Sequence, residues 1–333
     1  MVRIAMLSFW HVHAKDYRKQ ALEHPQTEVV AVWDEVPERG REEASRLGVP
    51  FYDSLDEVLA QDFVDAVVVD TPTNLHPDVM IRAAEAKKHI FTEKVLALTL
   101  HDANRIIASV RAAGVQLMVS LPRLNDAYTL TFQEVVDHGL LGTISQVRVR
   151  LAHGGASDDW LPAHFYDYEQ CGGGALTDLG CHPLYLTRLL LGLPDRVSAH
   201  YGRMLGKAVE DNAVSIFQYA SGAIGIAETG FVSGSSPFTM EVHGMSGSAV
   251  YSQTDGSGSS VRVKSAAHGF AEWTPYPMRE AKPSAFHQWV ENIETGRDAA
   301  EQNEIAVDLT KLVEASNLAA VAGQPVRLTD LRP

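Results

Sequence analysis

Over the first third of the chain, short apolar runs alternate with stretches of helical periodicity. Arg3–Leu7, Glu28–Trp33, Ala66–Val69, His89–Thr92 and Gln116–Ser120 read as buried strands, with a short additional one at Pro50–Tyr52. Between them, Ala14–Glu23, Pro37–Leu47, Ser54–Ala60 and Asp78–Ala86 predict helices. Thr99-Leu100-His101-Asp102 has the form of a capping box that opens a helix running to Ala113. This alternation requires right-handed crossovers between parallel strands, hence a doubly wound parallel sheet covered on both faces. Ligands on such sheets lie beyond the C-terminal strand ends. That singles out the loops beginning at Ser8, Asp34, Asp70 and Glu93.

After Ser120 the pattern changes. A helix at Ala127–Asp137 and a strand at Ile144–Leu151 precede the run Gly172-Gly173-Gly174, which leads into a leucine-rich helix ending at Leu191. From Asp195 to Val263 the chain reads as strands and turns: Val214–Tyr219, a Ser221-Gly222 turn, Ala223–Thr229, Thr239–His243, Ala249–Ser252 and Ser260–Val263. Gly256-Ser257-Gly258-Ser259 has the composition of a mobile loop tip. Helices at Ser284–Glu294 and Glu304–Ala322 close the chain. The expected organisation is an α/β domain over residues 1–121 and an α+β domain over 122–333, the latter with a large, mainly antiparallel open sheet. The last helix is expected to pack back on the first domain. Helices cover one face of the open sheet, and self-association into a homodimer or homotetramer would cover the other.

Composition narrows the partners. Among 333 residues, 45% are hydrophobic and 21% charged, as in an ordinary soluble protein. The net charge of −14 argues against nucleic acid and anionic membrane surfaces, which repel it. Two cysteines, Cys171 and Cys181, exclude a disulfide framework and suit a reducing cytoplasm. No apolar run approaches the ~18 residues a membrane span needs. The apolar N-terminus is too short for a signal peptide. A cytoplasmic protein without a membrane partner is expected.

Four segments carry candidate chemistry. The first loop, Ser8-Phe9-Trp10-His11-Val12-His13, follows a strand, and Asp34 ends the next one. An acid at that distance belongs to the dinucleotide-binding pattern, but Ser8, Trp10 and His13 stand where its three glycines would be. Trp10 and His13 bring bulk to a phosphate approach, while His11 or His13 could donate a hydrogen bond to phosphate. The same histidine pair is compatible with zinc or iron in a hydrolase barrel, or with simple packing of the first turn. A barrel needs eight strand–helix units, which the second half of the chain does not supply. The second segment, Thr71-Pro72-Thr73-Asn74-Leu75-His76, has the donors of a cofactor-rim loop and equally the composition of any strand–helix turn. In the third, Glu93-Lys94, a strand-end lysine points toward a ligand cleft or pairs with its neighbouring acid. In the fourth, Asp178 and His182 stand four apart and would share one face if the segment is a single helix. They suit a proton relay, half of a metal site or a helix end. Cys181 beside them reads as a small buried hydrophobe.

Taken together, these residues resemble the Gfo/Idh/MocA family of NAD(P)-dependent oxidoreductases, which includes glucose–fructose oxidoreductase and inositol dehydrogenase. The resemblance runs nearly the full length, through Thr71-Pro72 with His76, Glu93-Lys94, Arg123, Gly139–Ile144, Gly172–Gly192, Phe286–Gly296 and Ser316–Val326. It implies a Rossmann-type first domain that binds NAD, with NADP as the other possibility, through Ser8, Phe9, Trp10, His11, Val12, Asp34, Thr71, Pro72, Asn74, His76, Glu93 and Lys94. Asp34 would hold the adenosine ribose and repel the 2′-phosphate of NADP. Lys94, Asp178 and His182 would be catalytic, with Arg123, Trp160 and Tyr166 beside Asp178 and His182 at the substrate. No metal is implied. The substrate would be a sugar, cyclitol or related polyol. His182 would take the hydroxyl proton, Lys94 would orient the oxygen, and Asp178 would fix the substrate hydroxyls and keep Lys94 charged. Two departures stand out. The glycine loop is replaced by Ser8–His13, which implies a different pyrophosphate contact. Val95 replaces the expected proline after Lys94, so the family's cis-proline is not carried over. The altered loop also leaves open a second class, a regulatory nucleotide-binding protein that keeps the fold without catalysis.

Overall fold

The computed structural model describes residues 1–253 and 260–333, so the glycine–serine tip expected at 256–259 lies outside the described residues. The chain divides into two compact units.

The first unit comprises Met1–Ser120, Pro283–Val307 and Pro333. Its elements run β1 (Val2–Leu7), α1 (Ala14–Glu23), β2 (Thr27–Trp33), α2 (Pro37–Leu47), β3 (Phe51–Tyr52), α3 (Leu55–Leu59), β4 (Ala66–Val69), α4 (His76–Glu85), β5 (His89–Thr92), α5 (Leu100–Ala113) and β6 (Leu117–Val119). The six strands form one sheet in the order β3-β2-β1-β4-β5-β6, every pair parallel. It is an open sheet, so the eight-stranded barrel needed by the hydrolase reading is absent from this unit. The strand order reverses between β1 and β4. At such a switch point the flanking loops diverge and leave a crevice. Ser8–His13 and Asp70–Leu75 are therefore the loops that border it. Thr99 caps α5 by accepting the Asp102 N–H, as the capping box requires.

Late residues complete this unit's core. In the helix Ala285–Thr295, Phe286, Trp289 and Val290 are buried among Phe91, Met118 and the apolar residues of β1. The Trp289 ring centroid lies 5.6 Å from that of Phe91 and 5.5 Å from that of Phe286.

The second unit comprises Leu121–Lys282 and Asp308–Arg332. It begins with α6 (Ala127–Asp137) and β7 (Ile144–Ala152), followed by the short helices α7 (Tyr168–Cys171) and α8 (Ala175–Asp178) and the longer α9 (Cys181–Leu191). Then come β8 (Arg196–Gly202), β9 (Asn212–Gln218), β10 (Ile224–Gly230), β11 (Phe238–Gly244), β12 (Ser248–Gln253), β13 (Arg262–Ser265) and β14 (Phe270–Pro275). The chain ends with α10 (Ala285–Thr295), already placed in the first unit, α11 (Ala300–Ala322) and β15 (Val326–Arg327). The nine-stranded sheet has the order β14-β13-β12-β11-β7-β10-β9-β8-β15 and is antiparallel except at β7–β10. That parallel pair needs a crossover, and α9 packs on the same two strands. Ala213, Ser215 and Phe217 of β9 are buried, and the residues between them are not. On the less buried face of β7, β10 and β11, Arg148 pairs with Glu228 at 2.7 Å and Glu241 at 3.6 Å, and His243 lies 3.6 Å from Glu241. Among the described residues no helix is long and apolar enough to cross a membrane.

Trp289 tests how much the late helix contributes. Its replacement by alanine is expected to cost about 3–5 kcal/mol, the usual range for emptying a large aromatic core site. Urea unfolding monitored by circular dichroism would read this, and a loss below about 1 kcal/mol would show that the indole is not part of the core.

Candidate functional site

In the first unit, the loop after β1 keeps the shape of a glycine turn without the glycine. Ser8 holds φ at +77°, a left-handed conformation that normally favours glycine. Its N–H donates to the Trp33 carbonyl at 2.7 Å. The next amides are also engaged within the unit: Phe9 N–H with Asp34 at 2.9 Å, Trp10 N–H with Ser8 Oγ at 3.1 Å and His11 N–H with the Asp70 carbonyl at 3.2 Å. His13 N–H donates to His11 Nδ1 at 3.2 Å, and Ala14 N–H to the His11 carbonyl at 3.0 Å. Trp10 is buried. A phosphate at this turn would thus meet amides already spoken for.

Asp34 is likewise committed. Its Oδ2 accepts the Phe9 amide at 2.9 Å and Arg39 Nε at 2.8 Å, while Oδ1 accepts the Val36 amide at 2.8 Å and Arg39 Nη2 at 2.7 Å. A carboxylate offers about four acceptor positions, so these bonds fill it. A ribose diol can engage Asp34 only if Arg39 moves. The expected repulsion of a 2′-phosphate also weakens, because the Asp34 charge is balanced by a guanidinium.

The loop after β4 is the opposite case. Asp70 is fully buried and neither of its carboxylate oxygens has a hydrogen-bond partner; Thr71 Oγ1 and Asn74 Oδ1 are also buried without one. Such atoms are costly and uncommon. Several such atoms lie together in one strand–helix loop beside the switch point, where the diverging loops leave a crevice. Burial pushes the Asp70 carboxyl well above its ordinary range, and the Glu93 charge adds to the effect.

Glu93 is the hub of this half. Its Oε1 accepts the Lys94 amide at 2.9 Å. Its Oε2 lies 3.0 Å from His13 Nδ1 and 3.8 Å from His11 Nδ1, and it accepts a short bond from the Tyr17 hydroxyl. Burial opposes the charge of Glu93, but His11, His13 and Lys94 outweigh it and hold the carboxyl well below the usual carboxylate range. Tyr17 lies 2.8 Å from Ser120 Oγ, and burial together with Glu93 raises its hydroxyl well above the tyrosine range. Lys94 is buried, and the Lys94–Val95 peptide is cis although residue 95 is not proline, which corrects the expectation drawn from the missing proline. His76 Nδ1–H reaches the carbonyls of Val95 at 3.1 Å and Leu96 at 3.2 Å, tying that turn to α4.

In the second unit, Asp178 and His182 do not lie on one continuous helix. α8 ends at Asp178, and α9 starts at Cys181 after Leu179-Gly180. Pro183 supplies the reason: inside a continuous helix it would remove an N–H and crowd the Leu179 carbonyl. Gly180 packs so closely that a Cβ there would stand 2.7 Å from the Leu176 carbonyl oxygen. The two side chains are nonetheless close in sequence at the junction, Asp178 half-buried and His182 buried.

Two residues that sequence reasoning did not single out hold this segment. Glu210 is buried and accepts the Gly174 amide with both oxygens at 2.9 Å and the Leu176 amide at 2.9 Å, capping the start of α8. A Cβ on Gly174 would stand 2.2 Å from the Glu210 carbonyl oxygen, so this glycine is required by close approach. The fully buried Tyr185 places its hydroxyl 2.9 Å from His182 Nδ1 and accepts the Arg123 amide at 3.1 Å. Tyr185 follows His182 by three residues on a helix, a spacing that could have flagged it.

The remaining substrate candidates are more dispersed in role. The Arg123 side chain donates to Tyr128 at 2.8 Å and lies 4.7 Å from the Phe238 ring centroid, so its contacts are structural pairs. Trp160 is not core: it is 57% exposed, with its ring 4.8 Å from that of His153. Tyr166 lies under Lys207 Nζ at 4.8 Å. Cys171 and Cys181 are buried thiols not joined in a disulfide, and they donate to the His164 and Asp178 carbonyls at 3.3 and 2.9 Å.

Comparison with known proteins fits both units. Residues 9–121 match the oxidoreductase family with an NAD-binding Rossmann fold, and residues 129–250 match the GFO/IDH/MocA C-terminal domain. The chain is 32% identical to myo-inositol 2-dehydrogenase of Thermotoga maritima over 60% of its own length and 59% of that protein's. It is 29% identical to the NAD(+)-dependent scyllo-inositol 2-dehydrogenase of Bacillus subtilis over 68% of its length and 66% of that protein's. The matches thus span less than two thirds of either relative. Among solved structures, GenD2 from gentamicin A biosynthesis, in complex with NAD, superposes with a TM-score of 0.81 at 25% identity, covering 98% of this chain and 96% of that one. A putative myo-inositol dehydrogenase from Sinorhizobium meliloti shares the fold, with a TM-score of 0.76 at 23% identity over 98% of this chain and 100% of that one. These findings favour neither the non-catalytic regulator nor the hydrolase.

His76 gives the site a measurable acid limit. Burial, only partly offset by the bonds to the Leu96 and Val95 carbonyls, pushes its imidazole down to about 4. The unfolded chain takes up this proton below about pH 6.5 and the folded chain only below about pH 4. Stability associated with His76 is therefore fully present above pH 6.5 and lost as pH falls toward 4, by roughly 3 kcal/mol. His76→Gln should remove that part of the slope in urea-unfolding free energies measured from pH 7 to 4. An identical slope in both proteins would contradict a neutral, buried His76.

Proposed function

Because the chain belongs to the GFO/IDH/MocA family of oxidoreductases, we propose that it transfers hydride between a nicotinamide dinucleotide and a CH–OH carbon of a sugar, cyclitol or related polyol. The observation that carries this reading is the set of orphaned polar atoms on Asp70, Thr71 and Asn74, next to the Glu93-Lys94 strand end. The bound dinucleotide supplies or accepts the hydride. Thr71 and Asn74, with Pro72 and His76 shaping their loop, hold its nicotinamide end. Ser8–Val12 and Asp34 hold the rest, with Arg39 swinging aside to open Asp34 to the ribose. NAD is the cofactor we propose, from the acid at Asp34, and NADP is the second possibility, the more so with Arg39 beside that acid.

In the oxidation direction, His182 acts as base at Nε2. This role requires the tautomer in which Nδ1–H donates to the Tyr185 hydroxyl, 2.9 Å away, so that Nε2 presents its lone pair to the substrate. Tyr185 is a positioning residue. Lys94 orients the reacting oxygen and stabilises its developing charge. Asp178 binds substrate hydroxyls, with Trp160, Tyr166 and Arg123 contributing to the substrate wall. We place the protein in the reducing cytoplasm, where its two buried thiols stay reduced.

His182→Ala is expected to lower kcat by about 10²–10⁴, the range for losing a positioned base, while the NAD dissociation constant stays within about threefold. A polyol and cyclitol panel followed by NADH absorbance would check it. Equal losses in turnover and NAD affinity would assign His182 a structural role, and NAD binding with no oxidation of any panel member would overturn the enzymatic reading.

We also propose a homodimer or homotetramer formed through the less buried sheet face. The Arg148, Glu228 and Glu241 network would then be an intersubunit surface, and Arg148→Glu should shift the mass toward one chain in sedimentation equilibrium. A monomeric mass for the unmodified protein at micromolar concentration would rule this out.

A further inference from the structure

We propose that His11, His13 and Glu93 form a binding site for one divalent first-row transition-metal ion. They present two imidazoles and one carboxylate whose donor atoms all lie within 4.8 Å of one another. The residues come from the loop after β1 and the end of β5, strands that flank β4 in the sheet, so the grouping is made by the fold and not by local sequence.

The two spacings from Glu93 suit an ion. The spacing between the imidazoles reaches 4.8 Å, more than two bonds of about 2.1 Å span, so the half-exposed His13 swings inward on binding. Tetrahedral donors about 2.0–2.1 Å from a metal stand roughly 3.3 Å apart. Glu93 Oε2 is 3.0 Å from His13 Nδ1 and 3.8 Å from His11 Nδ1, which brackets that value. The protonation pattern points the same way. His11 Nδ1 accepts the His13 amide at 3.2 Å, so it carries a lone pair and no proton. A bound ion would take that lone pair from the His13 amide, and the ionised Glu93 carboxylate 3.8 Å away would balance the metal's charge. Nearby, Asp70 adds a second fully buried carboxyl with no hydrogen-bond partner on either oxygen.

The site is reachable without opening the core, because the His13 side chain is 43% exposed while Glu93 is only 3% exposed. Nitrogen donors select against magnesium and calcium, which take oxygen ligands, and suit zinc, iron(II), cobalt(II) or nickel(II). Three protein ligands leave at least one position for water or an exogenous donor. The ion would replace the His13–Glu93 hydrogen bond. This inference goes beyond hydride transfer and does not depend on it.

Cobalt(II) is the probe of choice, since its visible d–d absorption reports coordination independently of turnover. The tag-free, full-length protein is stripped with chelator and titrated with cobalt(II). The expected result is a band that saturates at one ion per chain and is bleached by zinc. His13→Ala should weaken cobalt affinity at least tenfold, and so should Glu93→Gln. Both also lower the urea midpoint because each removes a partner from the buried Glu93 network, so circular dichroism without denaturant first establishes that each variant is folded at the titration temperature. No visible band, or uptake that is the same in the unmodified protein and His13→Ala, would overturn the proposal. Because metal uptake is read without substrate, its failure is distinct from failure of the oxidoreductase reading.

Discussion

The first unit depends on an ionised carboxylate buried at its sheet's C-terminal edge. Glu93 draws together the β1 loop through His11 and His13, helix α1 through Tyr17, and its own strand end through the Lys94 amide. A buried charge is tolerable only with such a ring of partners, and removing one member of a buried pair typically costs about 3–5 kcal/mol. The constraint runs outward as well. It fixes where the loop after β1 can go and therefore which of its amides remain for a ligand. Burial already drives Asp70 toward its neutral form, and the Glu93 charge adds to that effect.

The second unit solves a related problem with a different partner set. Glu210 is also buried, but it is held by backbone amides at the start of α8, and burial raises its carboxyl despite the bonds it accepts. That cap fixes the chain at Gly174, four residues before Asp178. Tyr185 then sets the imidazole of His182 from within α9. The second unit thus positions its candidate reactive side chains through inward-facing polar groups, Glu210 and Tyr185, that need not touch a ligand. Such residues carry no motif of their own, which is why Glu210 and Tyr185 are silent when the chain is read as a string.

Legibility followed the physics of each element. Parallel strands buried on both faces give continuous apolar runs, so β1, β4 and β5 and the helices between them stand out. β8, with its alternating polar residues, the exposed edge strand β14 and the two-residue β15 lack that contrast, and none of the three is distinguished in the sequence. The condition that one helix carry both Asp178 and His182 is not met, for a local reason visible in the sequence, Pro183. The loop at Ser8 shows the reverse: the glycine is missing, yet Ser8 adopts the left-handed conformation regardless.

The sequence by itself determined the alternation that makes the first sheet parallel, the change to a second architecture after Ser120, and the residues with chemistry to offer at strand ends. Periodicity and side-chain type are local properties, and they survive reading in one dimension. Only the tertiary structure decided which of those residues are already occupied. It shows Asp34 closed by Arg39, the loop amides engaged with their own surroundings, Asp70 and Asn74 left with unmatched oxygens, and His11, His13 and Glu93 gathered from distant strands. Hydrogen bonds and burial depend on what lies nearby in space, and no spacing along the chain encodes that.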